Sequence, residues 1–170
     1  MTQCKMNQGP KKLPSLVVFD LDNTLWGLDG KHKLTLFPDV CPILREIANS
    51  PKWQHTRLAI ASTTRQIKQA YRALNRFKLG DGSGRVLLDL FDQPLIQMHG
   101  GDKRTHFITL QRASGVPFNE MIFFDDLELN CASVKRLGVH TQRCDDGLKR
   151  EIWDEALLKF SHQVQDWTVY

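Results

Sequence analysis

The chain predicts an α/β fold, a three-layer αβα sandwich built on a Rossmann-like, mostly parallel sheet. Three observations carry that expectation. Short apolar runs alternate with stretches of helical periodicity along most of the 170 residues. The run Leu16-Val17-Val18-Phe19 is continuously apolar, as a strand covered on both faces must be. It stops abruptly at Asp20 and Asp22, and acids at the end of a buried parallel strand lie in the crevice where open α/β sheets bind ligands.

Ser15 to Phe19 is the first strand, and Trp26 to Phe37, with Gly27, Asp29 and Gly30, is a loop or small hairpin. Pro38 suits the first turn of a helix whose Val40, Ile43, Leu44 and Ile47 repeat at three and four, ending near Ser50-Pro51. Arg57 to Ala61 is a second strand. The hydroxyls of Ser62-Thr63-Thr64 then stand where they can cap a helix with Ile67, Ala70, Tyr71 and Leu74 inward. Leu79 to Gly84 reads as a flexible loop, and Pro94 leaves only a short strand around Leu95 to Met98. A helix from Gly101 or Asp102 carries Phe107, Ile108, Leu110 and Gln111 toward Ser114 and stops at Gly115. Met121 to Phe124 is a strand that ends in Asp125-Asp126. Asn130 to Leu137 is a helix stopped by Gly138, Val139 to Gln142 a last strand, and Leu148 to Phe160 a closing helix with Ile152, Ala156 and Leu157 inward. One domain over 14–162 is expected, with tails at 1–13 and 163–170.

Composition narrows the function. The net charge is +4, with Lys and Arg scattered rather than striped, so no nucleic-acid partner is expected, although phosphorylated substrates would be attracted. No apolar stretch is long enough to cross a bilayer, and the first fourteen residues lack the apolar segment of a signal peptide. Cys4, Cys41, Cys131 and Cys144 have no CxxC spacing, which suggests neither a zinc site nor a disulfide framework and favours a reduced, cytoplasmic chain. No apolar stripe is left over for a partner, so a monomer is expected.

All strand ends of a parallel sheet face one crevice. Asp20, Asp22, Ser62, Thr63, Lys103, Asp125 and Asp126 therefore converge on one rim. Neighbouring carboxylates repel, so one is protonated or a cation lies between them. Their hard oxygen donors suit magnesium, and without His or Cys beside them zinc and copper fit poorly. A lysine and two hydroxyls beside such a site supply what a phosphoryl group needs, charge neutralisation and donors. Taken singly the features are bland: a helix-capping Ser62, a surface Lys103, turn-forming acids, helix-start residues at Glu128 and Asn130. His32, His55, His99 and His106 share no spacing that suggests a site.

Asp20-Leu21-Asp22-Asn23-Thr24, Ser62, Lys103 and Phe124-Asp125-Asp126 resemble the four motifs of the haloacid-dehalogenase-like superfamily of phosphohydrolases. Phe19 to Trp26, Lys103 to Phe107, Gly115 to Phe118 and Phe123 to Asp126 extend the resemblance to the magnesium-dependent phosphatase family within it. The loop between Trp26 and Pro38 is shorter than the resemblance leads one to expect, and neither it nor the stretch from Leu79 to Gly101 can hold a cap domain. A fold core without a cap domain and an open crevice are therefore expected. The resemblance implies that Asp20 attacks phosphorus to form an aspartyl-phosphate, and that Asp22 protonates the leaving oxygen and later deprotonates water. The Asp20 carboxylate, the Asp22 carbonyl and Asp125 would bind magnesium. Ser62 and Lys103, with Thr63, would hold the phosphoryl oxygens. Asp126 would stand behind the ligands, steadying a metal-bound water or Lys103, with Thr24 also in support. The implied activity is a phosphomonoester phosphatase acting on phosphotyrosine-type protein or phosphosugar and glycated-amine substrates. The alternative is a catalytically quiet module of the same fold that binds a phospho-ligand or a protein. A second departure matters: Thr63 stands where this family often has Arg, removing a bidentate donor. A two-component receiver domain is disfavoured because Lys103 precedes the second acidic pair.

Overall fold

The computed structural model describes residues 12–163; the terminal stretches 1–11 and 164–170, expected as tails, lie outside the described residues. In chain order the elements are β1 (Leu16–Phe19), β2 (Trp26–Leu28), β3 (Leu34–Leu36), α1 (Val40–Asn49), β4 (Arg57–Ser62), α2 (Ile67–Arg76), β5 (Ile96–Met98), α3 (Lys103–Ser114), β6 (Met121–Asp125), α4 (Glu128–Lys135), β7 (His140–Arg143) and α5 (Arg150–Gln163). Strands β5-β4-β1-β6-β7 form one sheet in that order with every pairing parallel, and β2 with β3 makes the small hairpin. The expected fold class holds.

Strand β1 is central, flanked by β4 and β6, which is why all four of its residues are buried. Side-chain alternation divides the sheet into two faces. Val17, Phe19, Ile60, Ile122 and Phe124 pack on one side with α1, α2 and α5, and Leu16, Val18, Ala59, Ala61 and Phe123 pack on the other with α3 and α4. The first face is aromatic at its centre: Phe19 stacks on Phe124 at 5.7 Å, Phe124 on Trp153 at 5.2 Å, and Trp153 meets Trp53 at 5.6 Å. Such ring pairs add about 0.5–1.5 kcal/mol each beyond the area they bury.

Helix α1 buries the expected Val40, Ile43, Leu44 and Ile47. In α3 the inward residues are Lys103, His106, Phe107 and Leu110, while Ile108 is partly exposed. Two other readings need correcting. In α5 the largest inward side chain is Trp153, which the aliphatic spacing did not single out. The hydroxyls after β4 do not cap α2; Ser62 Oγ accepts from Thr64 N–H (3.3 Å) and Thr64 Oγ1 from Gln66 N–H (3.2 Å), so they fold the connecting segment instead. The Leu79 to Gly84 loop is also pinned: Arg85 pairs with Asp81 at 2.6 Å and reaches Asn49. Leu13 already packs against the core and α5 runs through Gln163. Among the described residues, no helix is long and apolar enough to cross a membrane.

Candidate active site

Because β1 and β6 are parallel neighbours with Phe19 opposite Phe124, their ends release Asp20 and Asp125 side by side. The Asp20 N–H donates to Phe124 O at 2.9 Å, which holds the first acid against the second strand. The carboxylates of Asp20, Asp125 and Asp126 offer oxygens that all lie within 4.8 Å of one another. Lys103, at the first turn of α3, reaches into this group from below. Its Nζ lies 2.6 Å from Asp20 Oδ1, 3.0 Å from Asp125 Oδ2 and 2.5 Å from Ala61 O. An ammonium has three N–H bonds, so all are committed. Lys103 is 1% exposed and is not among the residues that line the cleft above.

One cation against three carboxylates leaves the cluster with excess negative charge. Burial holds the Asp20 carboxyl above the usual carboxylate range; Lys103 opposes this and Asp125 adds to it. Burial, then Asp125, raises Asp126 as well. An oxygen-only donor set with uncompensated charge fits a small divalent cation such as magnesium. Asp126, half-buried, offers one of the three carboxylates of this cluster.

Asp22 lies apart from the cluster. Asn23 takes a left-handed φ of 57°, which Asn tolerates, and the tight turn lets Asp22 Oδ1 accept from Trp26 Nε1–H at 2.8 Å. The loop is fixed by Leu148 N–H on Thr24 O (2.9 Å) and Phe37 N–H on Leu25 O (3.0 Å). A side chain on Gly147, φ 88°, would collide with the Phe37 ring, so only glycine lets that segment approach. Thr24 is fully buried, its hydroxyl has no hydrogen-bond partner among the described residues, and it is not among the residues that line the cleft.

Ser62 and Thr63 do line the cleft, at the end of β4 beside β1. The Ser62 carbonyl accepts from His99 N–H and from His106 Nε2, both at 3.1 Å. His106 Nε2 also faces His99 O at 3.0 Å, so that nitrogen carries the proton. The His106 ring is fully buried and stacks on His99 at 3.8 Å, and burial, then the neighbouring His99, lowers its pKa. Asn130 donates to both oxygens of Asp125, at 3.1 and 3.0 Å, and Leu127 N–H adds a third bond at 2.8 Å. Sequence reasoning missed His106 and Asn130. The available signal for Asn130 was its place in the first turn of the helix after an acid; for His106 there was none.

The cleft is 740 Å³, walled by Trp26, Leu28 and Leu34 of the hairpin on one side and by the segment from Thr63 to Gln69 on another.

The sequence model of a family described as Acid Phosphatase matches residues 28–163, starting after Asp20 and Asp22. Human "Magnesium-dependent phosphatase 1" is 30% identical over 171 residues, covering 88% of this chain and 89% of that protein. A "HAD-like hydrolase superfamily protein" of Schizosaccharomyces pombe is 33% identical over 151 residues, 75% of this chain and 84% of that one. Among solved structures, a Bacteroides thetaiotaomicron HAD family enzyme, a point mutant complexed with magnesium and inorganic phosphate, superposes with TM-score 0.61 at 13% identity, over 82% of this chain and 97% of that one. The N-terminal part of a Bacteroides fragilis protein containing a phosphatase domain, complexed with Mg, gives TM-score 0.59 at 20% identity, with 91% of this chain covered but only 40% of that one. At these identities the structural likenesses speak to the fold.

Proposed function

The chain belongs to the acid phosphatase family of haloacid-dehalogenase-like hydrolases, and on that premise we propose that it is a magnesium-dependent phosphomonoester phosphatase with Asp20 as its nucleophile. The observation that carries this reading is the meeting of Asp20, Asp125 and Asp126 around Lys103 beneath an open cleft. Asp20, Asp125 and Asp126 would hold the ion, with the Asp22 carbonyl beside them; bound magnesium would supply charge neutralisation and hold the phosphoryl oxygens. Asp20 attacks phosphorus while the bond to the leaving oxygen breaks and Asp22 gives that oxygen a proton. Asp22 then takes a proton from water as the water attacks the aspartyl-phosphate, releasing phosphate and regenerating the Asp20 carboxylate. The hydrogen bond from Trp26 aims Asp22 for both steps. Ser62, ending β4, and Thr63 are placed to donate to phosphoryl oxygens. Lys103 fixes the Asp20 carboxylate and offsets its charge.

An open cleft flanked by a hairpin suits a phosphate on a bulky carrier, either a protein side chain such as phosphotyrosine or a phosphosugar or glycated amine. Turnover of p-nitrophenyl phosphate with magnesium, its loss on chelation, and its abolition in Asp20→Asn are the expected results. Equal turnover by wild type and Asp20→Asn would remove Asp20 as nucleophile, and no turnover by wild type would favour a quiet binding module. A panel of phosphopeptides and phosphorylated metabolites then ranks the carriers; tight, fully enclosed binding of small phosphomonoesters would contradict the bulky-carrier assignment.

A further inference from the structure

The lining of the cleft includes the acids Asp20, Asp22 and Asp126 and, among the described residues, a single arginine or lysine, Arg65. Lys103, the other cation of the site, lies sealed below with its three N–H bonds directed at Asp20, Asp125 and Ala61 O. Counting charges shows what is missing. Asp20, Asp125 and Asp126 contribute three negative charges and Lys103 one positive, so a divalent ion brings the cluster to neutrality. A phosphomonoester then brings about two negative charges of its own. Hydroxyl donors at Ser62 and Thr63 can bond its oxygens but cannot offset that charge.

Arg65 is placed to do so. It sits between β4 and α2 in the segment that the Ser62 and Thr64 hydroxyls fold, so its backbone is positioned although its side chain is exposed. Gln66 and Gln69 share its wall of the cleft. Arg57, Arg85, Arg104, Arg143 and Arg150 each meet a carboxylate, whereas among the described residues no hydrogen bond or ion pair occupies the Arg65 guanidinium. An unpaired arginine on the wall of an acid-lined cleft is a donor without an acceptor, and its planar fork matches two oxygens of a phosphoryl group.

We propose that Arg65 is the substrate-binding cation of this cleft, donating two N–H bonds to the non-bridging oxygens of the phosphate. The inference rests on the phosphatase reading above. It also answers the loss of an arginine at position 63: the guanidinium enters two residues later.

The test uses the full chain with magnesium. Wild-type hydrolysis of p-nitrophenyl phosphate establishes the phosphatase reading independently of Arg65. Arg65→Ala should then raise both KM and the inhibition constant of inorganic phosphate about 10-fold or more, as expected for losing charge-assisted hydrogen bonds. Arg65→Lys should recover part of that loss, and the melting temperature of both variants should match wild type because the side chain is exposed. Values within about twofold of wild type in Arg65→Ala would overturn the assignment. If wild type shows no turnover, the phosphatase reading fails, and calorimetry with inorganic phosphate and magnesium still decides Arg65 by the same comparison of affinities.

Discussion

The ends of β1 and β6 lie side by side and both finish in acids, yet their carboxylates are held in opposite ways. Asp125 is fully buried and held by several donors: Leu127 N–H, Asn130 and Lys103 all donate to its two oxygens. Asp20 has one side-chain donor, Lys103 on Oδ1, and keeps 7% of its surface toward the cleft. The same residue type is thus held by several donors at one strand end and by a single side-chain donor at the other. What separates them is local: the turn into α4 brings Leu127 N–H and Asn130 to Asp125, whereas the distant Lys103 is shared by both acids.

Removing the group that the two acids share breaks the comparison most severely. Lys103→Met should lower kcat/KM by at least ~10²-fold, the scale for losing a preorganised charge partner. It should also cost about 3–5 kcal/mol of stability, since two buried carboxylates lose their cation. Steady-state kinetics alongside chemical denaturation check both, and undiminished values would place Lys103 outside the site. Asn130→Ala acts on Asp125 alone. Loosening Asp125 should weaken apparent magnesium affinity by about 10–100-fold while leaving Asp20 in place. A magnesium titration of activity reads this directly, and an unchanged midpoint would make Asn130 a helix-start residue only.

The smallest effect sharpens the comparison from the β4 side. Burial keeps His106 neutral below the usual histidine value of 6.5, while the unfolded chain protonates it there. Its contribution to stability is therefore complete above that pH and is lost as pH falls toward the lowered folded value. His106→Gln can still donate to the Ser62 carbonyl but cannot titrate. Wild type should lose more melting temperature than this variant between about pH 7.5 and about pH 5.5. Parallel pH curves for the two proteins would exclude a titrating His106.

Much of this molecule was legible along the chain. The continuous apolar runs at Leu16 to Phe19 and Met121 to Phe124 marked buried strands, and the spacing of Val40, Ile43, Leu44 and Ile47 marked a helix face, because burial leaves a local periodic trace. Reading failed where the trace was mixed. The apolar residues of α3 did not announce that the helix also turns Lys103 and His106 to the interior, where Asp20 and Asp125 meet the lysine. Trp153 went unnoticed because its partners, Phe124 and Trp53, come from elements remote in sequence.

By itself the sequence determined the α/β alternation and put acids, hydroxyls and a lysine at segment ends, since backbone preference and burial period act over a few residues. Tertiary structure alone decided which of those groups share a donor. It closed Lys103 behind Asp20 and Asp125 and left Arg65 open on the wall of the cleft. The physical reason is that a side chain's charge and hydrogen bonds depend on whichever neighbours folding brings within about 3 Å of it, and those neighbours here come from as far as 83 residues away.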